Sequence, residues 1–380
     1  MTEKLYDKDA YGHEFSATVL SCEADKRGYA VVLDKTFFFP EEGGQTPDTG
    51  TLDEIEVTHV SIKDDVITHY LSKPLEPGST VTGKVDFDHR FLKMQMHSAE
   101  HIFSGLVNSR FGYNNVGFHL SDNSATMDYD GKFSYEEALE LERKVNEIIV
   151  NGKKITAVYP SKEELAALSY RSKKELSGPV RIVTVEDVDV CACCAPHVRN
   201  TSEIGLFKII SWENYKSGVR INYLAGFRAL EDYERRLSDL REISRTLSYK
   251  QGEELDGVIK LSKDYSDLKF KDVEIRNKYI DLQIASEKTD TESGLCVLSP
   301  DFSNHIKYAS DVLKAYYPKV RAVLCGNDEA GYRFYVESET EDLTEMLKML
   351  KEKYDVKGGG KRSAIQGTIA IKSGDFRRLL

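Results

Sequence analysis

Two pairs of residues that lie far apart in the sequence constrain the fold of this chain more than any other feature. His97 and His101 are four positions apart in FLKMQMHSAEHIFSGLVNSRF, a segment whose apolar residues predict a helix. At 3.6 residues per turn the two imidazoles lie on one helical face, about 40° apart. The second pair, Cys193 and His197, stands in DVCACCAPHVRNTSEIG with a spacing that indicates a turn. A fold that joins the pairs would gather one thiolate and three imidazoles around a single point.

This set of ligands predicts a metal site. Zinc is a borderline-soft ion that prefers tetrahedral sites made of thiolates and imidazoles. We therefore predict that one zinc ion per chain is bound by four residues: His97, His101, Cys193 and His197. The neighbouring Cys191 and Cys194 are also candidates for the thiolate, although the spacing favours Cys193. Each pair alone is a weak signal, because helical histidines at this spacing are usually surface or packing residues and buried cysteines usually pack as small hydrophobes.

The helical pair permits a second interpretation. Residues His97 to His101 spell H-x-x-E-H, the pattern of inverted zinc proteases, in which Glu100 would be a general base. That class needs an acidic third ligand, whereas the partners downstream are Cys193 and His197. The predicted ligands therefore argue against a zinc peptidase. Glu100 remains a catalytic candidate, and its other interpretation is a supporting carboxylate or a solvated one.

Composition and charge limit the class of protein. A chain of 380 residues with 40% hydrophobic and 30% charged residues is typical of soluble proteins with two to four domains. We expect neither a signal peptide nor a membrane span, because no apolar run is long enough. Three of the six cysteines fall within four positions, which indicates metal or thiol chemistry in a reducing compartment. We therefore expect a cytoplasmic protein.

The charge is unevenly distributed along the chain. The net charge of −11 argues against a general polyanion binder, because contacts to phosphate need lysine and arginine. From Met346 to Leu380, however, nine lysines and arginines face three acidic residues, a net of +6 that leaves −17 for the rest. A local basic surface at the C-terminal end is therefore compatible with the overall charge.

The pattern of turns and apolar periods predicts an α+β fold with four parts. Short strands separated by turns predict a β-barrel-like domain over residues 1–89. Mixed helices and strands predict an α+β domain with the zinc ligands over 90–226, in which Ser134 and Glu137 form a capping-box pattern ahead of a helix. Long helices are predicted over 227–290. A small α/β domain is predicted over 291–380.

The predicted helices of 227–290 have two interpretations. Apolar residues recur at intervals of three and four positions at Leu230, Tyr233, Leu237, Leu240, Ile243 and Leu247. Such a stripe is typical of an amphipathic helix packed on its own chain, but also of a helical hairpin that pairs two subunits. The second interpretation predicts a homodimer through this segment and the C-terminal domain.

Three motifs that follow one another resemble a known family. They are FFFPEEGGQTPDTG (37–50), MHSAEHIFSG (96–105) and CCAPHVRNTSEIG (193–205). Together they resemble the editing domain of alanyl-tRNA synthetase and its free-standing relatives, the AlaX proteins. The family pattern H-x3-H followed by C-x3-H falls on the four predicted zinc ligands. Two later segments, SGVRINYLAGFRAL and GGGKRSAIQG, resemble the exit from that domain and the glycine-rich part of the synthetase C-terminal domain, which implies the long form of AlaX.

The resemblance implies a function. It implies a zinc-dependent aminoacyl-tRNA deacylase that hydrolyses Ser-tRNA(Ala), or Gly-tRNA(Ala), in trans. A synthetase pocket built for alanine cannot strongly exclude glycine or serine, so a second hydrolytic site has a clear role. Because no aminoacylation domain precedes the motifs, we expect that this chain does not charge tRNA. Hypotheses from other classes are a non-catalytic, zinc-stabilised RNA-binding module and the zinc peptidase.

The resemblance also assigns roles to residues outside the metal site. Gln45, in a glycine-flanked loop where backbone can approach a ligand closely, would position substrate or water, although the residue alone is compatible with a solvated turn. Thr36 is a candidate for contact with the serine hydroxyl, and its other interpretation is an ordinary strand threonine. A flexible basic loop that contacts RNA phosphate would be formed by Gly358, Gly359, Gly360, Lys361 and Arg362, whose other interpretation is a glycine-rich turn.

Overall fold

The computed structural model describes residues 1–122, 124–172, 179–287 and 294–380. The chain forms two compact units, Met1–Asp239 and Leu240–Leu380, and each is described by itself. The chain contains both helices and strands, and the strands form several separate sheets, so the predicted mixed class is confirmed. Among the described residues, no helix combines the length and the apolar character needed to cross a bilayer.

The first unit contains most of the strands. They are β1 (Glu3–Lys4), β2 (Glu14–Asp25), β3 (Gly28–Leu33), β4 (Lys35–Thr36), β5 (Gly50–Leu52), β6 (Ile55–Lys63), β7 (Val66–Leu71), β8 (Thr80–Val85), β9 (Asn115–Leu120), β10 (Ala125–Tyr129), β11 (Ile155–Val158), β12 (Ile182–Val185), β13 (Asp189–Ala192), β14 (Phe207–Tyr215) and β15 (Gly218–Ala225). The helices are α1 (Leu5–Lys8), α2 (Phe87–Phe111), α3 (Tyr135–Asn151) and α4 (Lys162–Ala167), with a 3₁₀ turn at Thr201–Ile204. Helix α5 (Phe227–Leu247) begins in this unit and ends in the second.

Six N-terminal strands close a barrel in the order β2-β3-β7-β6-β5-β8. Alternate residues along these strands are buried, as in β7, where Ile67, His69 and Leu71 face the interior. This period of two places one face of each strand in a common apolar core. Ala195 and the partly buried Cys193, which lie more than 100 positions later in the sequence, also pack in this core.

Helix α2 forms the centre of the unit. Its N-cap Asp86 accepts a hydrogen bond from the backbone N–H of His89, and it ends at Gly112, whose φ of 74° is left-handed. The helix lies against β9, β13, β15 and α3. Strands β14-β15-β10-β9 form a four-stranded sheet and β11-β12-β13 a three-stranded one. Because α2 is buried between these layers, polar residues on it need partners inside the protein.

The helix α3 begins as the sequence predicted. The hydroxyl of Ser134 accepts from the backbone N–H of Glu137, whose carboxylate accepts from the N–H of Ser134. The capping box is therefore confirmed. It fixes the start of a helix whose buried face packs on the same core as α2.

The second unit is a five-stranded sheet with helices. Its elements after α5 are α6 (Glu254–Glu287), β16 (Leu295–Leu298), α7 (Ile306–Lys314), β17 (Val320–Asn327), β18 (Gly331–Ser338), α8 (Leu343–Lys353), β19 (Val356–Lys361), β20 (Ala364–Ile369) and α9 (Ser373–Arg377). The strand order is β16-β17-β18-β20-β19, with β16 parallel to β17 and the other pairs antiparallel.

The glycine-rich segment corrects one expectation. Gly358, Gly359, Gly360 and Lys361 were expected in a flexible loop, but they lie in the edge strand β19, paired with β20. Only Arg362 follows the strand, in the turn to β20. A Cβ on Gly358 would lie 2.2 Å from the carbonyl oxygen of Gln366, so glycine permits the close approach of the two strands. The glycines of this segment are therefore explained by the close packing of β19 on β20.

Candidate metal centre

Four side chains from distant parts of the first unit converge on one point. His97 and His101 project from α2, and Cys193 and His197 come from the turn after β13. Their ligand atoms all lie within 4.8 Å of one another. The Sγ atom of Cys193 lies 3.5 Å from Nε2 of His97 and 3.3 Å from Nε2 of His197. The two pairs singled out in the sequence are thus adjacent in space.

These distances fit a tetrahedral zinc site. With Zn–S of about 2.3 Å and Zn–N of about 2.0–2.1 Å, the edge from sulfur to nitrogen of a regular tetrahedron is about 3.6 Å. The separations of Cys193 Sγ from Nε2 of His97 and of His197 lie within a few tenths of an ångström of that edge. The three histidines are also almost completely buried. The residues present therefore fit the ion in chemistry and in spacing.

The hydrogen bonds of the three imidazoles give independent support. In each ring the Nδ1 atom is engaged by an oxygen, namely Gln45 Oε1 on His97 at 2.8 Å, Asp189 Oδ2 on His101 at 3.1 Å and Ser98 Oγ on His197 at 3.0 Å. A carboxylate or an amide oxygen only accepts, so Nδ1 of His97 and of His101 must carry the proton. Each of these two rings then offers the lone pair of Nε2 to a metal, the arrangement typical of histidine ligands.

The environment of the three clustered cysteines distinguishes them. Burial opposes the thiolate of Cys193, but the imidazoles of His97 and His197 outweigh it, so the pKa of Cys193 is well below the ordinary value. Burial raises the pKa of Cys191, and burial together with the neighbouring Cys193 raises the pKa of Cys194. Since metals bind the thiolate, these directions favour Cys193 as the ligand.

The turn that carries Cys193 and His197 is fixed by a buried arginine. Arg181 donates to the carbonyl oxygens of Cys193 at 3.1 Å and of Ala195 at 2.8 Å. Its Nε lies 3.4 Å from the carboxylate of Asp7. The backbone N–H of Cys193 also donates to the carbonyl of Arg181. Because the carbonyls of the turn are held on both sides of Cys194, the ligand pair has a defined geometry before any metal binds.

Gln45 lies beside the centre. Its loop is anchored to β9, because Leu120 donates to the carbonyl of Gly44 and Thr46 donates to the carbonyl of Leu120. Gly44 has a φ of 86°, and a Cβ there would lie 2.2 Å from the carbonyl oxygen of Phe118. Gln45 is 1% exposed, and among the described residues its Nε2 is buried without a partner. Two N–H donors therefore remain free next to His97.

Glu100 and Thr36 have other partners. Glu100 accepts from Ser104 at 2.7 Å and from Asn115 at 2.5 Å, and its second oxygen lies 3.9 Å from Nε2 of His101. It is not one of the four convergent groups. Thr36 is buried in the barrel, where its hydroxyl lies 2.9 Å from Nε2 of His69 and accepts from the N–H of Phe38.

The predicted RNA-contacting residues lie in the other unit. Gly358, Gly359 and Gly360 line a groove of about 420 Å³ together with the side chains of Arg333 and Lys357. Lys361 ends the strand, and Arg362 is largely exposed and 3.4 Å from Asp342. The structure therefore does not place them in the unit that holds the metal centre.

The sequence interpretation did not include Ser98, Asp189 and Arg171, which bond to the side chains of the ligands or of their partners. Ser98 stands between the two helical histidines, but serine on a helix carries no signal of its own. Asp189 and Arg171 reach the centre only because β13 packs on α2. A contact between residues so far apart in sequence depends on the tertiary fold.

Comparison with known proteins places the chain in a family. A family model described as "Threonyl and Alanyl tRNA synthetase second additional domain" matches residues 180–222, which include Cys193 and His197. A second, described as "tRNA synthetases class II (A)", matches residues 10–89. Both matched segments are thus similar to parts of aminoacyl-tRNA synthetases.

Individual relatives narrow this class. The alanyl-tRNA editing protein Aarsd1 of Rattus norvegicus is 30% identical over 277 residues, 68% of this chain and 67% of that protein. Aarsd1 of Bos taurus is 32% identical over 248 residues, 60% of this chain and 55% of that protein, so the match spans little more than half of the bovine relative. Alanyl-tRNA editing protein AlaX-L of Pyrococcus horikoshii is 30% identical over 249 residues, 63% of this chain and 62% of that protein. The chain belongs to the family of alanyl-tRNA editing proteins.

Proposed function

We propose that this chain is a zinc-dependent hydrolase that removes serine, or glycine, from tRNA(Ala) in trans. The observation that carries the proposal is the convergence of His97, His101, Cys193 and His197, with Gln45 beside them. The names of the relatives, which are alanyl-tRNA editing proteins, support the substrate class.

Four residues of the chain would hold the ion, and one neighbour would act on the substrate. Zinc would supply Lewis acidity to the ester carbonyl or lower the pKa of a water molecule. Gln45 has its amide oxygen committed to His97, so its N–H groups are free to donate to the carbonyl oxygen of the ester or to water. Such a donor is effective in a buried site, because it replaces solvent without having to reorganise.

Glu100 is assigned a supporting role. Its carboxylate accepts from Ser104 and Asn115 beside His101, which keeps this turn of α2 in one conformation. These two contacts hold one oxygen of Glu100 away from solvent. The peptidase hypothesis instead makes Glu100 a general base, and it predicts cleavage of peptides that is lost in Glu100→Gln.

Thr36 is assigned to discrimination of the amino acid. Nδ1 of His69 lies 3.2 Å from the carbonyl oxygen of Val31 and donates to it, so Nε2 of His69 accepts from the Thr36 hydroxyl. Burial lowers the pKa of His69 to about 4, so the ring is neutral and this polarity is maintained at pH 7. Since the donor of Thr36 is used, its oxygen could serve a substrate hydroxyl only as an acceptor.

One observation favours a second candidate function. Four protein ligands close a tetrahedral site, which is typical of structural rather than catalytic zinc. In a non-catalytic RNA-binding module the ion would only stabilise the first unit. The two functions differ in the effect of chelation. In the hydrolase, removal of zinc abolishes deacylation. In the RNA-binding module there is no deacylation to lose, and removal of zinc only unfolds the first unit.

Two further assignments concern the second unit. We propose that the edge strand β19, with Lys357, Lys361, Arg362 and the neighbouring Arg333, contacts the phosphates of tRNA. The glycines of this strand line a groove together with Arg333 and Lys357, and Lys361 ends the same strand. Contacts of this kind contribute affinity without sequence specificity.

We also propose that two copies pair through α6. Apolar side chains at heptad spacing on this helix are between 46% and 72% exposed: Val258, Leu261, Tyr265, Leu268, Ile275, Tyr279 and Leu282. Their combined area is on the order of the roughly 800 Å² per partner that a stable interface buries. Sedimentation of Leu268→Glu/Ile275→Glu, with Lys260→Glu as the control on the same helix, is expected to give monomers only for the apolar pair.

The proposed function is tested by following Ser-tRNA(Ala), Gly-tRNA(Ala) and Ala-tRNA(Ala) with the full chain before and after chelation. We expect hydrolysis of the serine ester, little change in the alanine ester, loss after chelation and recovery with zinc. Binding of tRNA without hydrolysis at any zinc concentration would favour the non-catalytic module.

A further inference from the structure

Asp189 is a buried carboxylate directly behind the metal centre. Its side chain is 2% exposed, and its Oδ2 accepts from Nδ1 of His101 at 3.1 Å. Arg171 donates to both of its oxygens, from Nε to Oδ1 at 2.7 Å and from Nη2 to Oδ2 at 2.8 Å. The three side chains thus form a chain of hydrogen bonds that ends on a predicted metal ligand.

The backbone of Arg171 is fixed against strand β13 by two hydrogen bonds. Its N–H donates to the carbonyl of Val190 at 2.8 Å, and its carbonyl accepts from Ala192 at 2.9 Å. These bonds attach Arg171 to β13 on both sides of Cys191, next to Asp189. A bidentate arginine in a fixed position neutralises the buried carboxylate and sets its plane.

The partner of His101 differs in charge from those of the other two imidazoles. Gln45 and Ser98 are neutral, whereas Asp189 is an acceptor with a full negative charge. A charged acceptor holds the proton on Nδ1 more strongly and makes Nε2 a better electron donor. His101 is therefore the imidazole whose tautomer and direction are most firmly determined.

A separate metal site does not explain this cluster. His101, Asp189 and Cys191 lie close enough to hold an ion among themselves. However, both oxygens of Asp189 are already committed to Arg171 and His101. A cation there would also meet the guanidinium of Arg171 at close range, which is unfavourable.

We propose that Asp189, held by Arg171, is a positioning residue that fixes His101 for binding of the metal through Nε2. The proposal rests on the proposed function only in that His101 is a zinc ligand. It concerns the affinity of the protein for the metal, so it can be measured without any turnover.

The test is competition for zinc between the full chain and a chromophoric chelator. The variant Asp189→Asn keeps the shape of the side chain but loses the charge. We expect it to bind zinc about 10- to 100-fold more weakly than the natural chain. The matched control is Asp128→Asn in the same unit. Asp128 also pairs with an arginine through two bonds, at 2.6 and 2.7 Å from Arg220. The Asp128→Asn variant should have a zinc affinity within twofold of that of the natural chain.

Cobalt(II) provides a readout that a merely structural role would not change. The absorption bands of tetrahedral, thiolate-bound cobalt should shift in Asp189→Asn and stay unchanged in Asp128→Asn. If Asp189→Asn does not fold, Arg171→Lys, which keeps the charge but loses the fork, should still weaken zinc binding several-fold. Equal affinities and spectra in the Asp189 or Arg171 variant and the control would overturn the proposal.

The outcomes separate this inference from the proposed function. Tight zinc binding that is insensitive to Asp189 contradicts only the positioning role. Weakened binding in Asp189→Asn, in a protein that hydrolyses no aminoacyl-tRNA, supports the positioning role and contradicts only the hydrolase. A natural chain that binds no zinc contradicts both.

Discussion

The amide oxygen of Gln45 accepts a hydrogen bond from Nδ1 of His97 at 2.8 Å, and both side chains are buried. This bond connects the loop that carries Gln45 with His97, the first of the two predicted ligands on α2. It orients the amide of Gln45, because a protonated Nδ1 must face an oxygen. The N–H groups of Gln45 are therefore directed elsewhere, and no described residue accepts from them.

Replacement of Gln45 by glutamate should separate metal binding from hydrolysis. The carboxylate of Gln45→Glu can still accept from His97, so about one zinc ion per chain should remain bound. It has no N–H to donate, and loss of one such donor typically lowers kcat about 10²- to 10³-fold. Single-turnover deacylation of Ser-tRNA(Ala), beside metal analysis of the same sample, measures both quantities. Unchanged hydrolysis would remove Gln45 from the reaction.

Of the three clustered cysteines, only Cys193 should be needed for zinc binding. Cys193→Ser should lose most of the bound zinc, because the alcohol is not deprotonated as the thiol is. Cys191→Ser and Cys194→Ser are matched controls within three positions of it, and both should keep about one zinc ion per chain. Metal analysis after dialysis measures this. Retention by Cys193→Ser together with loss in a control would move the thiolate ligand to the neighbouring cysteine.

The ion pair between Arg90 and Asp48 should be important for stability. Both side chains are completely buried, and Arg90 also donates to the carbonyls of Ala10 and Phe37. Asp48→Asn leaves a buried guanidinium without its counter-charge, which typically costs about 3–5 kcal/mol. The exposed pair of Arg110 and Glu140 is the control, and Glu140→Gln should cost much less stability than Asp48→Asn. Denaturant unfolding measures both, and equal losses would contradict the assignment.

His69 should make the stability depend on pH. Burial lowers its pKa from 6.5 to about 4 in the folded chain. Between these values the unfolded chain binds the proton and the folded chain does not, so this contribution is complete above pH 6.5 and is lost as the pH falls toward 4. The loss over that window is on the order of 3 kcal/mol.

The variant His69→Gln isolates this contribution. Unfolding of the chelated protein between pH 4 and pH 7 should show a shallower dependence on pH in His69→Gln than in the natural chain. Chelation of both samples removes the contribution of zinc from the comparison. Parallel curves would show that His69 titrates alike in the folded and unfolded chains.

The basic end of β19 should determine affinity for tRNA. Lys361→Glu/Arg362→Glu is expected to weaken binding at least tenfold and to reduce the slope of log K against log salt by about two. The control is Lys348→Glu/Lys351→Glu on α8, which makes the same change in charge at exposed positions. Filter binding at several salt concentrations measures the slopes. If both double variants lose affinity equally, the effect is due to net charge alone.

The sequence could indicate the metal centre because its chemistry has a local spacing. His97 and His101 share a helical face, and Cys193 and His197 share a turn, so each pair is visible without the fold. Asp189 and Ser98 carry no such spacing. Asp189 in particular becomes a partner of His101 only through the packing of β13 on α2.

Backbone conformation explains the other differences. Asp53 and Glu54 have φ of 44° and 68°, so the chain turns there and separates β5 from β6. Asp-Glu is not a favoured pair for such a turn, since glycine and asparagine usually supply a positive φ. In β19 the glycines indicated a loop, whereas pairing with β20 stabilises them as a strand.

The central claim is tested most directly by the rate of deacylation of Ser-tRNA(Ala) relative to Ala-tRNA(Ala) in three proteins: the natural chain, His97→Ala and His119→Ala. His119 is an exposed histidine of β9 and serves as the control. The proposed function predicts rapid and selective loss of serine by the natural chain and by His119→Ala, and almost none by His97→Ala. Equal hydrolysis by all three proteins, or none by the natural chain with zinc bound, would contradict it.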